Sequence, residues 1–368
     1  MKKTLASTIL ILSLCLTAAA QDVTRVGIIG LDTSHSPALT KLLNTEQEVP
    51  VAGNYRVVAA YPYGTKTIES AASRIPRYIE EVKGMGVEIV DSIESLLDKV
   101  DCVFIETNDG HLHLEQAEKV FKAGKKCYID KPLGATLAQC IAIYSLAERY
   151  GIPIFSASAL RFSKVNAELR AGVYGPVKGA DCYSPHNPEK THPDFGYYGL
   201  HGVETLFTIL GTGCEKVSRL HGADSDIVTG LWSDGRLGTF RAVYKGGSYG
   251  GTVLLEDKKM MPAGGYEGYR CLLDAIIEFF ETGIPPVSKE ETLEIFAFME
   301  ASNLSMENDG RSVRLETVMA KAAKEAAHDK ERAAEEAERK AKKAEKRAYN
   351  EKQARKRAIL KAMRENNQ

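Results

Sequence analysis

From Thr24 onward the apolar residues come in short unbroken runs, and between those runs they recur every three or four positions. Residues 25–30, 55–60, 101–106, 126–130 and 152–156 have the length and continuity of strands buried on both faces. The segments between them read as helices. Ser36-Pro37 offers an N-cap and a first helical residue for 38–43, and 68–82 is amphipathic. Residues 114–122 are closed by Gly124, and 136–150 stop at Gly151. Strand and helix in strict alternation predict an α/β fold, a doubly wound parallel sheet with helices on both faces.

Past Ala159 the texture changes to Gly-rich and Tyr-rich segments with alternating strands such as 239–244 and 252–255. That predicts a second α/β domain, over 159–317, around an open and mainly antiparallel sheet. Residues 318–368 read as a charged helical tail without an apolar stripe. From Lys321 the tail holds 16 Lys and Arg against 9 Asp and Glu, so the whole-chain net charge of -1 conceals a basic end. The other end begins with Lys2-Lys3, an apolar run over 5–16 and Ala18-Ala19-Ala20. This is the layout of a signal peptide, cut near Gln21, and the run falls short of the ~20 residues that span a bilayer. Export to the periplasm or beyond is therefore expected, with 21–158 as the first folded domain. With 44% apolar and 26% charged residues, disordered and collagen-like chains are excluded. Nothing in the charge pattern calls for a nucleic-acid partner. Apart from Cys15 there are six scattered cysteines, with no disulfide framework and no metal spacing. Cys102 and Cys127 lie in apolar runs and are expected as buried thiols.

Three segments carry chemistry. Arg25-Val26-Gly27-Ile28-Ile29-Gly30-Leu31 opens the first domain, Asp130-Lys131-Pro132-Leu133-Gly134 follows a strand, and Gly199-Leu200-His201 lies in the second domain. With Arg161, Gly175-Pro176-Val177 and the run 283–313, this ordered set resembles the Gfo/Idh/MocA (glucose–fructose oxidoreductase/inositol dehydrogenase) family over roughly 24–315. The resemblance implies a Rossmann-like first domain and an oxidoreductase acting on sugar or polyol hydroxyls with a tightly bound NAD or NADP. It places the cofactor on Gly30, Leu31, Asp32, Thr33, Ser34, His35, Thr107, Asn108, Asp130 and Lys131. Lys131, His201 and Tyr197 are the implied catalytic groups, and Lys131, Arg161 and His201 are implied to meet the carbohydrate. It also implies a homo-oligomer formed through the second sheet. Hydride leaves carbon only as the adjacent hydroxyl gives its proton to a base, which is what a Lys and His pair provides.

Three positions depart from that pattern. Asp32 stands where a dinucleotide fingerprint has its second glycine, and a carboxylate ~4 Å from phosphate charge costs about 4 kcal/mol at an effective dielectric of ~20. No acidic residue follows the second strand, where Tyr61-Pro62-Tyr63-Gly64 stands, and Tyr197 replaces an Asp four residues before His201. A different reading gathers Asp32, His35, Asp109, His111 and His113 at the switch point of the sheet. They would form a metal or acid–base site for a nucleotide-independent carbohydrate hydrolase or lyase. A sugar-binding protein without chemistry is the third reading.

Overall fold

The structure, a computed structural model, describes residues 23–45 and 54–365; the expected signal segment lies outside them. Five short strands, β1 (Thr24–Ile29), β2 (Tyr55–Tyr61), β3 (Glu88–Ile89), β4 (Cys102–Ile105) and β5 (Lys126–Ile129), form a parallel sheet in the order β3-β2-β1-β4-β5. Strand order reverses between β1 and β4, so the crevice at their carboxyl ends is the switch point of a doubly wound sheet. Both faces are covered, which is why the strands are continuous apolar runs. Helix Leu137–Tyr150 opens with Thr136 capping the Gln139 N–H and ends on left-handed Gly151.

Two local expectations change. The first helix starts at His35, before Ser36-Pro37, because the Ser36 hydroxyl is spent on the Gly30 carbonyl 2.9 Å away. Residues 152–156 form no strand. They run beside β5, with the Ile129 N–H donating to the Phe155 carbonyl.

The second domain is built on a seven-stranded sheet ordered β11-β10-β6-β9-β8-β7-β12, from β6 (Val177–His186), β7 (Cys214–His221), β8 (Ser225–Trp232), β9 (Leu237–Tyr244), β10 (Gly250–Leu255), β11 (Met260–Pro262) and β12 (Val313–Arg314). Only β6 and β9 pair in parallel. Helix Leu200–Leu210 lies on this sheet with almost every residue buried. It comes so close that a β-carbon at Gly202 would fall 2.3 Å from the Phe240 ring. That fixes the turn carrying His201. The two domains share their cores, since helix Arg270–Thr282 returns to the first sheet with Leu272, Ile276 and Phe280 buried beside Val57 and Phe104. Cys102, Cys127, Cys140, Cys182 and Cys214 are buried free thiols and Cys271 is half-buried. No helix among the described residues is long and apolar enough to cross a membrane.

The charged end is one helix, Leu315–Glu365, and it begins inside the core. Leu315, Val318, Ala322 and Ala326 are buried at helical spacing, an apolar stripe that the surrounding charges hide in the sequence. The tail is thus not wholly solvated. A chain ending at Lys330 should melt within ~2 °C of the full protein. One ending at Ala320 loses two buried methyl groups, about 1.5 kcal/mol, and should melt ~3–6 °C lower in differential scanning fluorimetry.

Candidate active site

At the carboxyl ends of β1, β4 and β5 the crevice deepens into a cavity of about 250 Å³. Thr33, Ser34 and His35 come from the turn after β1, Asn108 from the turn after β4, and Lys131 from the turn after β5. The second domain contributes Tyr197, Tyr198 and His201, and three further tyrosines, Tyr249, Tyr266 and Tyr269, close the wall. Lys131 and His201 belong to different domains and face one space. Arg74, Ser158, Ala159 and Leu160 complete the lining, and none of them carried a sequence signal that marks it as a site residue.

Beneath Lys131 lies a buried ionisable layer. Asp130 is 0% exposed, with its carboxylate 3.9 Å from the Lys131 ammonium and 2.8 Å from His35 Nδ1. Burial opposes its ionisation, but the His35 and Lys131 charges hold the Asp130 carboxyl below the usual carboxylate range. Glu106 closes the same layer, fully buried with neither carboxylate oxygen hydrogen-bonded. Burial first, then the Asp130 charge, pushes it well above its ordinary value. A glutamate ending an apolar strand was the available sign.

His201 sits one helical turn before Glu204. Its Nδ1 is 2.7 Å from the Ser158 hydroxyl, and Nε2 makes no hydrogen bond among the described residues. Burial, reinforced by the Lys131 and His35 charges, lowers His201 to about 3, so the imidazole is neutral and able to accept a proton. Tyr197 accepts a hydrogen bond from Asn108 Nδ2 at 2.6 Å, which leaves its own proton free for a ligand; burial raises its pKa.

Several sequence-based assignments move. Gly30, Leu31, Asp32, Thr107 and Asp130 support the turns from within and do not line the cavity. Asp32 is turned away from the space a phosphate would enter: Oδ2 accepts the Thr65 N–H at 2.7 Å and Oδ1 the Asn108 N–H at 3.0 Å. A β-carbon at Gly64 would fall 2.1 Å from Oδ2, so only glycine lets the loop after β2 pass over this carboxylate. The repulsion expected from Asp32 is therefore not aimed at the cavity. Arg161 does not reach the cavity either. It is 5% exposed, its Nε on Glu204 and its Nη1 on Glu291, each at 2.8 Å.

The five-residue metal set does not converge. Asp32 is spent on amides, His113 turns both ring nitrogens to the carbonyls of Thr107 and Leu133, and His35 faces Asp130. Asp109 and His111 do meet, joined by His192, which the sequence reading omitted.

Burial lowers the pKa of His113, His192 and His201. Between those folded values and ~6.5 the unfolded chain binds the more protons. Their stabilisation is therefore complete above about pH 6.5 and is lost as the pH falls toward the folded values. Melting temperatures measured from pH 7.5 to 5 should fall steadily below 6.5, and a flat profile would show these imidazoles to be solvated.

Residues 24–157 match the family described as oxidoreductase family, NAD-binding Rossmann fold, Gfo/Idh/MocA. That match spans the first domain, about a third of the chain. Solved structures agree with that fold: a putative myo-inositol dehydrogenase from Sinorhizobium meliloti is 16% identical, with a TM-score of 0.64 over 80% of this chain and 100% of its own. Scyllo-inositol dehydrogenase from Lactobacillus casei, solved with NAD(H) and scyllo-inositol, is 14% identical with a TM-score of 0.64 over 80% of this chain and 99% of its own. A probable dehydrogenase from Thermotoga maritima is 20% identical with a TM-score of 0.63 and the same shares. A search of curated proteins found no match.

Gfo/Idh/MocA proteins are NAD-binding oxidoreductases, and the residues of this chain fit such a cofactor, NAD or NADP, in two respects. Gly30, at φ +92°, makes the sharp turn from β1, where a β-carbon would strike Thr107. The helix it leads into has no side-chain cap from Ser34 and no acid in its first turn, so its positive end favours an anion, with the His35 N–H held only by Thr33 Oγ1 at 3.4 Å. Asn108 and Lys131 face the same space from the other side of the switch point.

Proposed function

We propose that this protein is an exported dehydrogenase of the Gfo/Idh/MocA type that oxidises a hydroxyl of a cyclic polyol or sugar with NAD or NADP. The observation that carries the reading is the meeting of Lys131 and His201, from separate domains, in one tyrosine-walled cavity. Tyrosine rings offer apolar faces with polar tips, which suits a ring bearing hydroxyls on its rim. In this reading the Lys131 ammonium donates to the substrate oxygen and His201 Nε2 takes its proton, with Ser158 holding the imidazole by Nδ1. Tyr197 donates to a neighbouring hydroxyl, and His35 and Lys131 keep Asp130 ionised beneath the site. A nicotinamide held there would supply the acceptor for the hydride. Support for a polyol comes from similarity to inositol dehydrogenases, and support for export from the layout of residues 1–20.

The test is spectrophotometric, on the mature chain with NAD or NADP and a panel of inositols and monosaccharides. Reduced nicotinamide should accumulate with at least one polyol, and His201→Ala should abolish it. Absence of turnover across the panel, together with no calorimetric binding of either dinucleotide, would overturn the proposal.

A further inference from the structure

We propose that Asp109, His111 and His192 form a three-ligand site for a divalent transition metal of the zinc class, with one coordination position open to solvent. Asp109 and His111 flank Gly110 in the turn after β4, and His192 comes from the segment between β6 and helix Leu200–Leu210, so the site exists only once the two domains meet.

The geometry is that of a ligand set drawn slightly together. His111 Nδ1 lies 2.9 Å and His192 Nε2 3.6 Å from the same atom, Asp109 Oδ1, and all three lie within 4.8 Å of one another. Ligand atoms held tetrahedrally at ~2.0–2.1 Å from zinc are about 3.3 Å apart, so the two separations from Asp109 Oδ1 need change by only a few tenths of an ångström, and side-chain rotation of the exposed His111 sets the third. Two imidazoles and a carboxylate suit zinc and its neighbours better than calcium or magnesium, which prefer all-oxygen shells.

The surroundings orient each ligand from behind. His192 Nδ1 is 3.0 Å from the Thr191 hydroxyl, and Asp109 Oδ2 accepts the Thr65 and Thr67 hydroxyls at 3.1 and 3.4 Å. Such outer partners fix the tautomer and the carboxylate plane of metal ligands. The His192 side chain is 0% and Asp109 7% exposed, while His111 is 40% exposed, which gives the ion an entry on the His111 side. Two contacts are surrendered to the ion, the Gly110 N–H to His192 Nε2 at 3.3 Å and the His111 Nδ1–Asp109 Oδ1 hydrogen bond at 2.9 Å.

The site also backs the wall of the cavity. The Tyr197 ring packs on His192 with centroids 5.7 Å apart, and Tyr197 holds Asn108, the neighbour of Asp109. A bound ion would thus clamp the turn after β4 to the second domain and fix both Tyr197 and Asn108.

The test uses the full mature chain, stripped with chelator, dialysed and titrated with Zn2+ alone by calorimetry. One equivalent should bind at about 1 µM or tighter, and binding should raise the melting temperature. His111→Ala and His192→Gln, the second chosen to keep a side chain under Tyr197, should each weaken binding beyond the roughly 100-fold that loss of an outer partner costs. Co2+ in place of zinc should give d–d absorption without thiolate charge transfer, which separates this site from the cysteines. No binding by the wild type, binding undiminished in folded His192→Gln, or a thiolate band would each overturn the proposal.

Discussion

Lys131→Met should lower kcat by about 10³-fold while the protein still folds, within the 10²–10⁴-fold range for loss of a positioned proton-handling group. Methionine keeps the length of the stem and removes only the ammonium, which lines the cavity and meets Asp130 at 3.9 Å. Two roles for that charge must be separated. If Lys131 holds the substrate hydroxyl, the loss stays when Asp130→Asn is added, because nothing then donates to the substrate. If it merely balances Asp130 beside Glu106, the double variant recovers, since the carboxylate needing compensation has gone. Circular dichroism checks the fold, and recovery to within tenfold of the wild type would end the case for Lys131 as a catalytic residue.

The legibility of the site in the sequence follows from how locally each residue is determined. Lys131 could be found because Asp130-Lys131-Pro132-Leu133-Gly134, at the end of a short apolar strand, resembles a motif of the Gfo/Idh/MocA family, and strand ends at a switch point face a crevice. His201 could be found because Gly199-Leu200-His201 resembles a motif of the Gfo/Idh/MocA family. The doubly wound sheet was legible because burial on both faces leaves unbroken runs whose length separates strand from helix. The orientation of Asp32 was not legible. It depends on Gly64 passing over the carboxylate and on amides 33 and 76 residues away. His192 was missed likewise, because its partners lie 82 residues back in the chain and no spacing rule connects them. The docked start of the terminal helix was hidden by composition: four small or aliphatic residues suffice to anchor it, and the surrounding Lys and Glu dominate any average.

Arg161 is the residue whose assigned role changes most, and its removal should cost stability rather than substrate affinity. Its guanidinium bonds Glu204 and Glu291, which are 3% and 1% exposed, and Glu291 also meets Arg170 at 2.5 Å. Arg161→Met leaves two carboxylates in the interior with one half-exposed arginine between them. Breaking a buried pair in this way costs about 3–5 kcal/mol, because the abandoned charge must be protonated or hydrated in place. Burial already raises Glu204, held back chiefly by Arg161, so the variant should take up a proton there and be relatively less impaired at pH 5 than at pH 8. At ~2–4 °C per kcal/mol the melting temperature should fall by roughly 6–20 °C. The damage should also reach the active site, since Glu204 Oε2 accepts the Ser158 N–H and the Ser158 hydroxyl holds His201. Through that chain Arg161 is a positioning residue: kcat should drop while KM stays nearly constant. Arg161→Lys should return part of the stability, because it restores the charge without the two-pronged fork. A melting temperature within 2 °C of the wild type, with KM raised tenfold, would instead return Arg161 to the substrate.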